Sequence, residues 1–391
     1  MRFIDRKIVY LQQIVTPMYI HEHKEWPFFS WDKELVGRKQ NEVNRAVGYL
    51  MGRLSMIGFG DKMAAVVESI SHDIIASSEI EGVELNTGQV RSSVARKLGV
   101  QLQNPAESSR YIDGVAEMAL DATLNFYSPL TDERLWGWHN SLFPTGWSGT
   151  TKIDVARYRN GEMKIISGMS GRERVHYVAP APERIEEEMR SFLRWFNSAD
   201  NSGYVKSAIA HLWFVCIHPF DDGNGRIGRA IADMALSQAE QSKMRFFSIS
   251  HQINKDKKQY YDILEKTQKG GCDITEWILW YLDCLVRSVE QSDEILSKVL
   301  NKALFWQTNA GTDISGRQRE VLNIYLDGYP GKLTAKNWAK RAKVSSDTAA
   351  RDIKDLVDKG VLVPMQGRVR DVFYGIRCSD SVIVIPMPED S

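Results

Sequence analysis

The stretch His218–Arg229, HPFDDGNGRIGR, gathers the side chains from which phosphate chemistry is assembled. Apolar residues at Val205, Ala208, Ile209, Leu212, Trp213 and Cys216 keep helical spacing up to His218, and Ile227, Ala230, Ile231 and Met234 resume it afterwards. A helix therefore ends at His218, and a loop with Asp222, Gly223, Asn224 and Gly225 leads into a second helix. Backbone N–H groups at that second start point outwards, where the helix dipole favours an anion. Glycines remove the Cβ atoms that would hold a phosphate away. Arg226 and Arg229, three apart, share a helix face and can hold two phosphate groups. Asp222 offers a hard oxygen ligand that suits Mg²⁺ between phosphates. A histidine at the loop entrance is suited to take a proton from a hydroxyl. Together these groups describe transfer from a nucleotide to a hydroxyl acceptor.

The same stretch resembles the signature of the Fic family, H-P-F-x-[D/E]-G-N-G-R-x-x-R, at every fixed position. The resemblance extends over the helices from about Ser108 to Leu285. It implies a mainly α, Fic-type helical core that moves AMP from Mg-ATP to a Ser, Thr or Tyr hydroxyl of a target protein. His218 would then activate the hydroxyl, Asp222 would bind Mg²⁺, and Gly223, Asn224 and Gly225 would form the anion hole. Arg226 and Arg229 would hold the remaining phosphates. Gly225 stands where kinase-like relatives carry lysine, which favours AMP transfer over phosphate transfer.

Three further stretches extend the likeness. Ser77-Ser78-Glu79-Ile80-Glu81-Gly82 resembles the family's inhibitory helix, [S/T]-x-x-x-E-[G/N], and implies that Glu81 pairs with Arg229 in the γ-phosphate site. Glycines and β-branched residues near Met163–Ile166 and Val175–Val178 predict a short hairpin, in the place of the flap with which the family clamps a target by strand addition. YYDILEKTQKGGCD resembles the element near the adenine and ribose, so Tyr261 and Gln268 are nucleotide-contact candidates. Gln268 stands where asparagine is usual.

Helices must position all of this. Val43, Ala46, Val47, Leu50, Met51 and Leu54 mark one, Lys62–Ala76 a second, and the chain from Lys255 to Lys302 reads as mostly helical. The aromatic lead YIHEHKEWPFFSWD is read as packing on the body. APAPER opens a helix through its prolines. His211, on the helix before His218, is read as structural, and Phe220 as an apolar anchor for the turn. After Ser315 the order changes to helix, helix, helix and then VLVPM and VFYGI, with Arg368 and Arg370 at the strand turn, the order of a winged helix. Three parts follow: residues 1–105, a helical region that carries the inhibitory helix; 106–300, the catalytic core; and 310–378, a winged-helix domain.

Composition narrows the classes further. The 391 residues hold 50 Lys+Arg and 50 Asp+Glu, 43% are hydrophobic and 26% charged, so wholesale disorder and a partner met by bulk charge are both excluded. The four cysteines form no C-x-x-C pair, which argues against a zinc site or disulfide scaffold and suits a reducing cytoplasm. The first twenty residues show no signal-peptide pattern, and no run reaches the ~18 apolar residues of a membrane helix. The neutrality is uneven: Ser315–Arg377 holds 13 Lys+Arg against 7 Asp+Glu, a local +6, leaving −6 elsewhere. That balance favours DNA as a partner of the C-terminal module, while Asp352, Asp355 and Asp358 beside Arg351 and Lys354 count against it. Two alternatives stay open: removal of AMP from a modified target at the same site, and a DNA-binding regulator whose core senses nucleotide. The family resemblance also allows a homodimer.

Overall fold

A computed structural model describes residues 18–55, 58–102, 104–168, 172–198, 203–326, 329, 331–365, 373–378 and 381–383. Arg368 and Arg370 lie outside them. The chain is mainly helical. In order come α1 (Lys33–Leu54), α2 (Phe59–Ile80), α3 (Thr87–Lys97), α4 (Arg110–Leu124) and α5 (Asp132–Leu142). Two antiparallel pairs follow, β1 (Trp147–Ser148) with β2 (Thr151–Lys152), and β3 (Lys164–Ser167) with β4 (Arg174–Val178). Then come α6 (Ile185–Phe196), α7 (Tyr204–Ile217), α8 (Asn224–Glu240), α9 (Ile249–Lys255), α10 (Lys257–Gln268) and α11 (Thr275–Thr308). The last elements are α12 (Gly316–Leu326), α13 (Ala335–Ala342), α14 (Ser346–Asp358) and the antiparallel sheet β5 (Leu362–Met365), β6 (Phe373–Cys378) and β7 (Ser381–Ile383). Side chains of Asn86, Ser109, Thr131, Thr334 and Ser345 each accept a backbone N–H of the helix that follows, which fixes where five helices begin.

The chain divides into two compact units, each built from three segments. The first holds residues 1–39, 127–240 and 256–282. Its centre is α7, every residue of which is buried, as the all-round apolar sequence YVKSAIAHLWFVCI requires. Its polar side chains are met from neighbouring elements. Ser207 Oγ donates to the Ala232 carbonyl at 2.8 Å, His211 Nε2 lies 2.9 Å from the Tyr260 hydroxyl, and Lys206 Nζ donates to Gln238 at 2.8 Å. His211 is thus a core histidine, stacked on Trp277. Helix α8 packs on α7 at Gly228, where a Cβ would come within 3.1 Å of Val215 Cγ1. In the aromatic lead, Trp26 is buried and its indole N–H donates to Glu188 at 2.8 Å, but Phe28 stays exposed.

The second unit holds residues 40–126, 241–255 and 283–391. In it α2 runs four residues past Ala76, and its end is a Schellman motif. The Val83 N–H donates to the Ser78 carbonyl and the Gly82 N–H to Glu79, both at 3.0 Å, with Gly82 at φ +76°. The helix is tied to α9 and its flank by Asp73, which accepts from Ser248 Oγ at 2.6 Å, and by Glu79, which accepts from Asn254 at 2.7 Å. Helices α12 to α14 and the sheet share an apolar core around Leu322, Trp338, Ile353, Leu356 and Ile376.

Candidate active site

Helix α7 ends at His218, whose φ of 52° and ψ of 60° lie in the left-handed region. A non-glycine residue there costs about 1 kcal/mol, so the surroundings must hold it. Arg159 does so. Its Nε donates to the His218 carbonyl at 2.7 Å, and its Nη atoms donate to Gly161 and Pro180 at 2.6 Å and to Ile217 at 3.4 Å. Only 3% of Arg159 is exposed, so these carbonyls take the place of water around its charge. The His218 Nδ1 lies 3.1 Å from the Val215 carbonyl. A carbonyl only accepts, so Nδ1 carries the proton and the imidazole lone pair falls on Nε2. That is the tautomer a base needs.

The loop after His218 folds on itself. Asn224 accepts from the Phe220 N–H at 2.9 Å and donates to the Phe220 carbonyl at 2.7 Å. Its side chain thus shapes the turn, and what it presents to a ligand is backbone. Phe220 is fully buried and stacks on His139, ring centroids 4.3 Å apart. His139 accepts the Ala156 N–H on Nδ1 and donates from Nε2 to the Asp222 carbonyl, both at 3.2 Å. Burial, against the pull of the Asp222 carbonyl and the nearby Asp221 and Asp222 carboxylates, lowers its pKa to about 4 and keeps it neutral. The Asp222 carboxylate accepts from Ser148 Oγ and from the Gly223 N–H. Gly223 has φ +83°, and a Cβ on it would sit 2.9 Å from the Phe143 ring, so glycine is required twice over.

Helix α8 starts at Asn224, and Arg226 and Arg229 follow in its first turn and a half. They are 5% and 1% exposed. Arg226 lies over the Phe143 ring, 5.1 Å from its centroid, with its Nη2 3.7 Å from Asp222 Oδ1. Two guanidinium groups beside a helix start make a deep cationic site for an anion, although the unit as a whole is not basic. Tyr261 and Gln268 both lie on α10 but differ in setting. Tyr261 is 42% exposed, whereas Gln268 is buried with a hydrogen bond to the Cys216 sulfur. Glu81 is the exposed C-cap of α2, in the second unit.

The sequence pattern did not single out His139, Arg159, Asp221 or Ser148. Asp221 accepts the Asp154 N–H at 3.0 Å and pins the segment that carries Arg159. His139, Ser148 and Arg159 lie dozens of positions from the loop they support and share no spacing with it, whereas Asp221 stands within it at the signature's variable position. The one hint was an arginine, Arg159, between two aromatic and glycine-containing stretches.

Residues 129–236 match the Fic/DOC family, and residues 19–100 match a domain of unknown function, DUF4172. A "Protein adenylyltransferase Fic" of Nematostella vectensis is 23% identical over 266 residues, covering 66% of this chain and 56% of the relative. A "Uridine 5'-monophosphate transferase" of Xanthomonas campestris is 27% identical over 119 residues, 28% of this chain and 22% of that one. The chain therefore spans about half, or less, of the length of these curated relatives. A crystal structure of a Fic family protein from Desulfovibrio desulfuricans G20 superposes with a TM-score of 0.53 at 18% identity, over 89% of this chain and 97% of that one. Signature, helical fold and family match coincide on one segment: residues 129–236, with His218–Arg229 near their end, are a Fic/DOC family domain.

Proposed function

We propose that the chain is a protein adenylyltransferase that moves AMP from ATP to a Ser, Thr or Tyr hydroxyl of a target protein and is held back by Glu81. The observation that carries this is the His218 tautomer, with its lone pair on Nε2 at the entrance of a loop that ends in a cationic helix start. Nε2 takes the hydroxyl proton as the oxygen attacks the α-phosphorus, and pyrophosphate leaves. The N–H groups at Asn224 and Gly225 face the charge on the phosphates, Gly223 gives the loop its close approach while its own N–H is taken by Asp222, and Arg226 and Arg229 hold the charge in place.

Magnesium fits the donor set. Among the described residues no three His, Cys, Asp or Glu side chains gather into a metal cage, and Asp222 provides one carboxylate beside the anion site. Mg²⁺ is usually held in that way, by one or two carboxylates plus substrate phosphates. When bound it would neutralise phosphate charge. The adenine choice is supported by the relatives: the adenylyltransferase likeness spans 66% of the chain, the uridine one 28%. Buried free Cys216, Cys272 and Cys284 suit a cytoplasmic setting. Among the described residues no helix is long and apolar enough to cross a membrane.

The inhibitory role of Glu81 is supported by where it sits. Gly82 is explained by the Schellman turn, whereas a carboxylate at a helix C-terminus faces the negative end of the dipole, a place the helix itself does not favour for it. The test is protein labelling from α-labelled ATP by the Glu81→Gly chain, and its loss when His218→Ala is added. No labelling, of itself or of any lysate protein, would overturn the proposal. The reverse reaction is separated by asking whether AMP release from a modified target requires Glu81.

A second reading concerns the C-terminal module, taken as a winged helix that binds DNA. The acidic residues of α14 weigh less against it than their number suggests. Asp352 is buried and takes two hydrogen bonds from Arg317, at 2.9 and 2.8 Å, and one from Trp338. Asp355 is taken by Gln318 and Lys359. Arg351 and Lys354 remain exposed, with Lys340 and Arg341 of α13. A salt-dependent mobility shift, lost in a chain ending at Asn309, tests this. Its absence at low salt removes it.

A further inference from the structure

The β3–β4 hairpin is held at its two ends by different means. Its root is buried and over-determined: Tyr177 is fully buried, its hydroxyl donates to the Cys216 carbonyl at 2.9 Å, the Ala179 N–H donates to Met163 at 3.0 Å, and Arg159 takes the Pro180 carbonyl. Towards the tip, Ile166 and Val175 are 52% and 41% exposed, so apolar packing holds little there.

What holds the tip is polar and converges on one carboxylate. The pairing runs Ile165↔Tyr177 and then Ile166↔Val175, which leaves His176 as the extra residue of a β-bulge. A bulge re-aims a side chain, and here His176 Nδ1 meets Glu265 Oε2 of α10 at 2.7 Å. Arg174 donates to Glu265 Oε1 at 2.8 Å and Lys269 reaches the same oxygen at 2.5 Å. Partial burial would raise the Glu265 pKa, but the bonds from Lys269, His176 and Arg174 outweigh it and bring it down to about 2. An ionised carboxylate accepts, so Nδ1 donates, and Nε2 accepts from Ser167 Oγ at 2.6 Å. One side chain on α10 therefore holds β4 directly and reaches β3 through the His176–Ser167 bond.

We propose that Glu265 is a positioning residue that sets the hairpin tip for target binding and joins it to the helix bearing Tyr261 and Gln268. The proposal rests on reading the site as one that modifies a target protein. With the carboxylate in place, a target segment meets β3 and β4 already fixed over residues 164–168 and 172–178; without it, fixing Ser167, Arg174 and His176 falls to the binding step, and the cost appears in target affinity.

The test uses the full chain in the Glu81→Gly background, with α-labelled Mg-ATP and a titrated bacterial lysate as acceptor, and hydrogen–deuterium exchange on the same proteins. Glu265→Ala is expected to speed exchange in residues 164–168 and 172–178 by about tenfold and to raise the lysate concentration for half-maximal labelling of the strongest band by about tenfold. Maximal labelling and ATP affinity by calorimetry should stay within about twofold. Glu265→Gln, which keeps an acceptor for His176 without the charge, should fall between, and Lys269→Ala should leave hairpin exchange unchanged. Unchanged hairpin exchange in Glu265→Ala would overturn the proposal, as would faster exchange with unchanged half-saturation. If the parent labels nothing, the reading of the site fails instead, and the exchange data still decide whether Glu265 holds the hairpin.

Discussion

Two helix ends carry the residues of greatest interest, and they are built in opposite ways. Helix α2 ends as helices commonly do: a glycine in the left-handed position closes a Schellman turn, and Glu81 rides on it in the open. Helix α7 ends on a half-buried histidine in that same left-handed region, held by a buried arginine that donates to the carbonyls of four residues. The first end is closed by its own backbone hydrogen bonds, with Glu79 tied to Asn254 beside it, and Glu81 is exposed there. The second is held in a costly conformation by long-range contacts, which is what fixes an imidazole in one tautomer and one direction.

Substitutions at the two ends should therefore differ in kind. The largest effect is expected from His218→Ala, a loss of about 10³-fold in labelling rate with little change in melting temperature, as removal of a positioned base implies. Next comes Arg159→Met, which leaves four carbonyls short of a donor. Labelling should fall about 100-fold and unfolding free energy by about 3 kcal/mol, read from urea titration alongside the rate. If Arg159→Met melts normally and labels normally, the contrast drawn above is wrong. At the other end, Glu81→Gly should raise labelling roughly tenfold, the equivalent of about 1.4 kcal/mol of lost competition in the nucleotide site.

Acid should weigh on the buried histidines of the first unit. His139 and His21, both in the first unit, have pKa values lowered to about 4, with desolvation as the largest cause. The unfolded chain binds their protons below about pH 6.5 and the folded one does not until about pH 4. Stability is therefore lost as pH falls through that window, by about 3 kcal/mol per histidine. Thermal melts at pH 7, 5.5 and 4.5 should show the loss, and His139→Phe should make it shallower. The smallest effect is Glu81→Gln, which removes an anion from a helix C-terminus and should stabilise by about 0.3 kcal/mol. A destabilisation there would show that Glu81 serves the fold after all.

Legibility in the sequence followed the range of the interactions. The break at His218, the loop and the new helix could be placed from apolar spacing and glycines, because those signals are local. The hairpin over Met163–Val178 was legible from its glycines and β-branched residues, but its bulge at His176 was not, since a bulge depends on the partner strand. Arg159, His139 and Ser148 were missed because their meaning comes only from carbonyls and a carboxylate that folding brings to them. The charges of α14 misled in a related way. Asp352 is drawn inward by Arg317 and Trp338, while Asp355 stays at the surface but is paired with Gln318 and Lys359. The division into two units of three segments each has no local signal at all.

Gly228 gives the site its gauge. The step from the base to the anion-binding helix start is set where α8 lies against α7, and that separation is defined by a methyl group the chain does not have. A wedge of one carbon there would press on Val215, Phe214 and His211, and the few tenths of an ångström by which they must give would be passed to His218 at one end and to the start of α8 at the other.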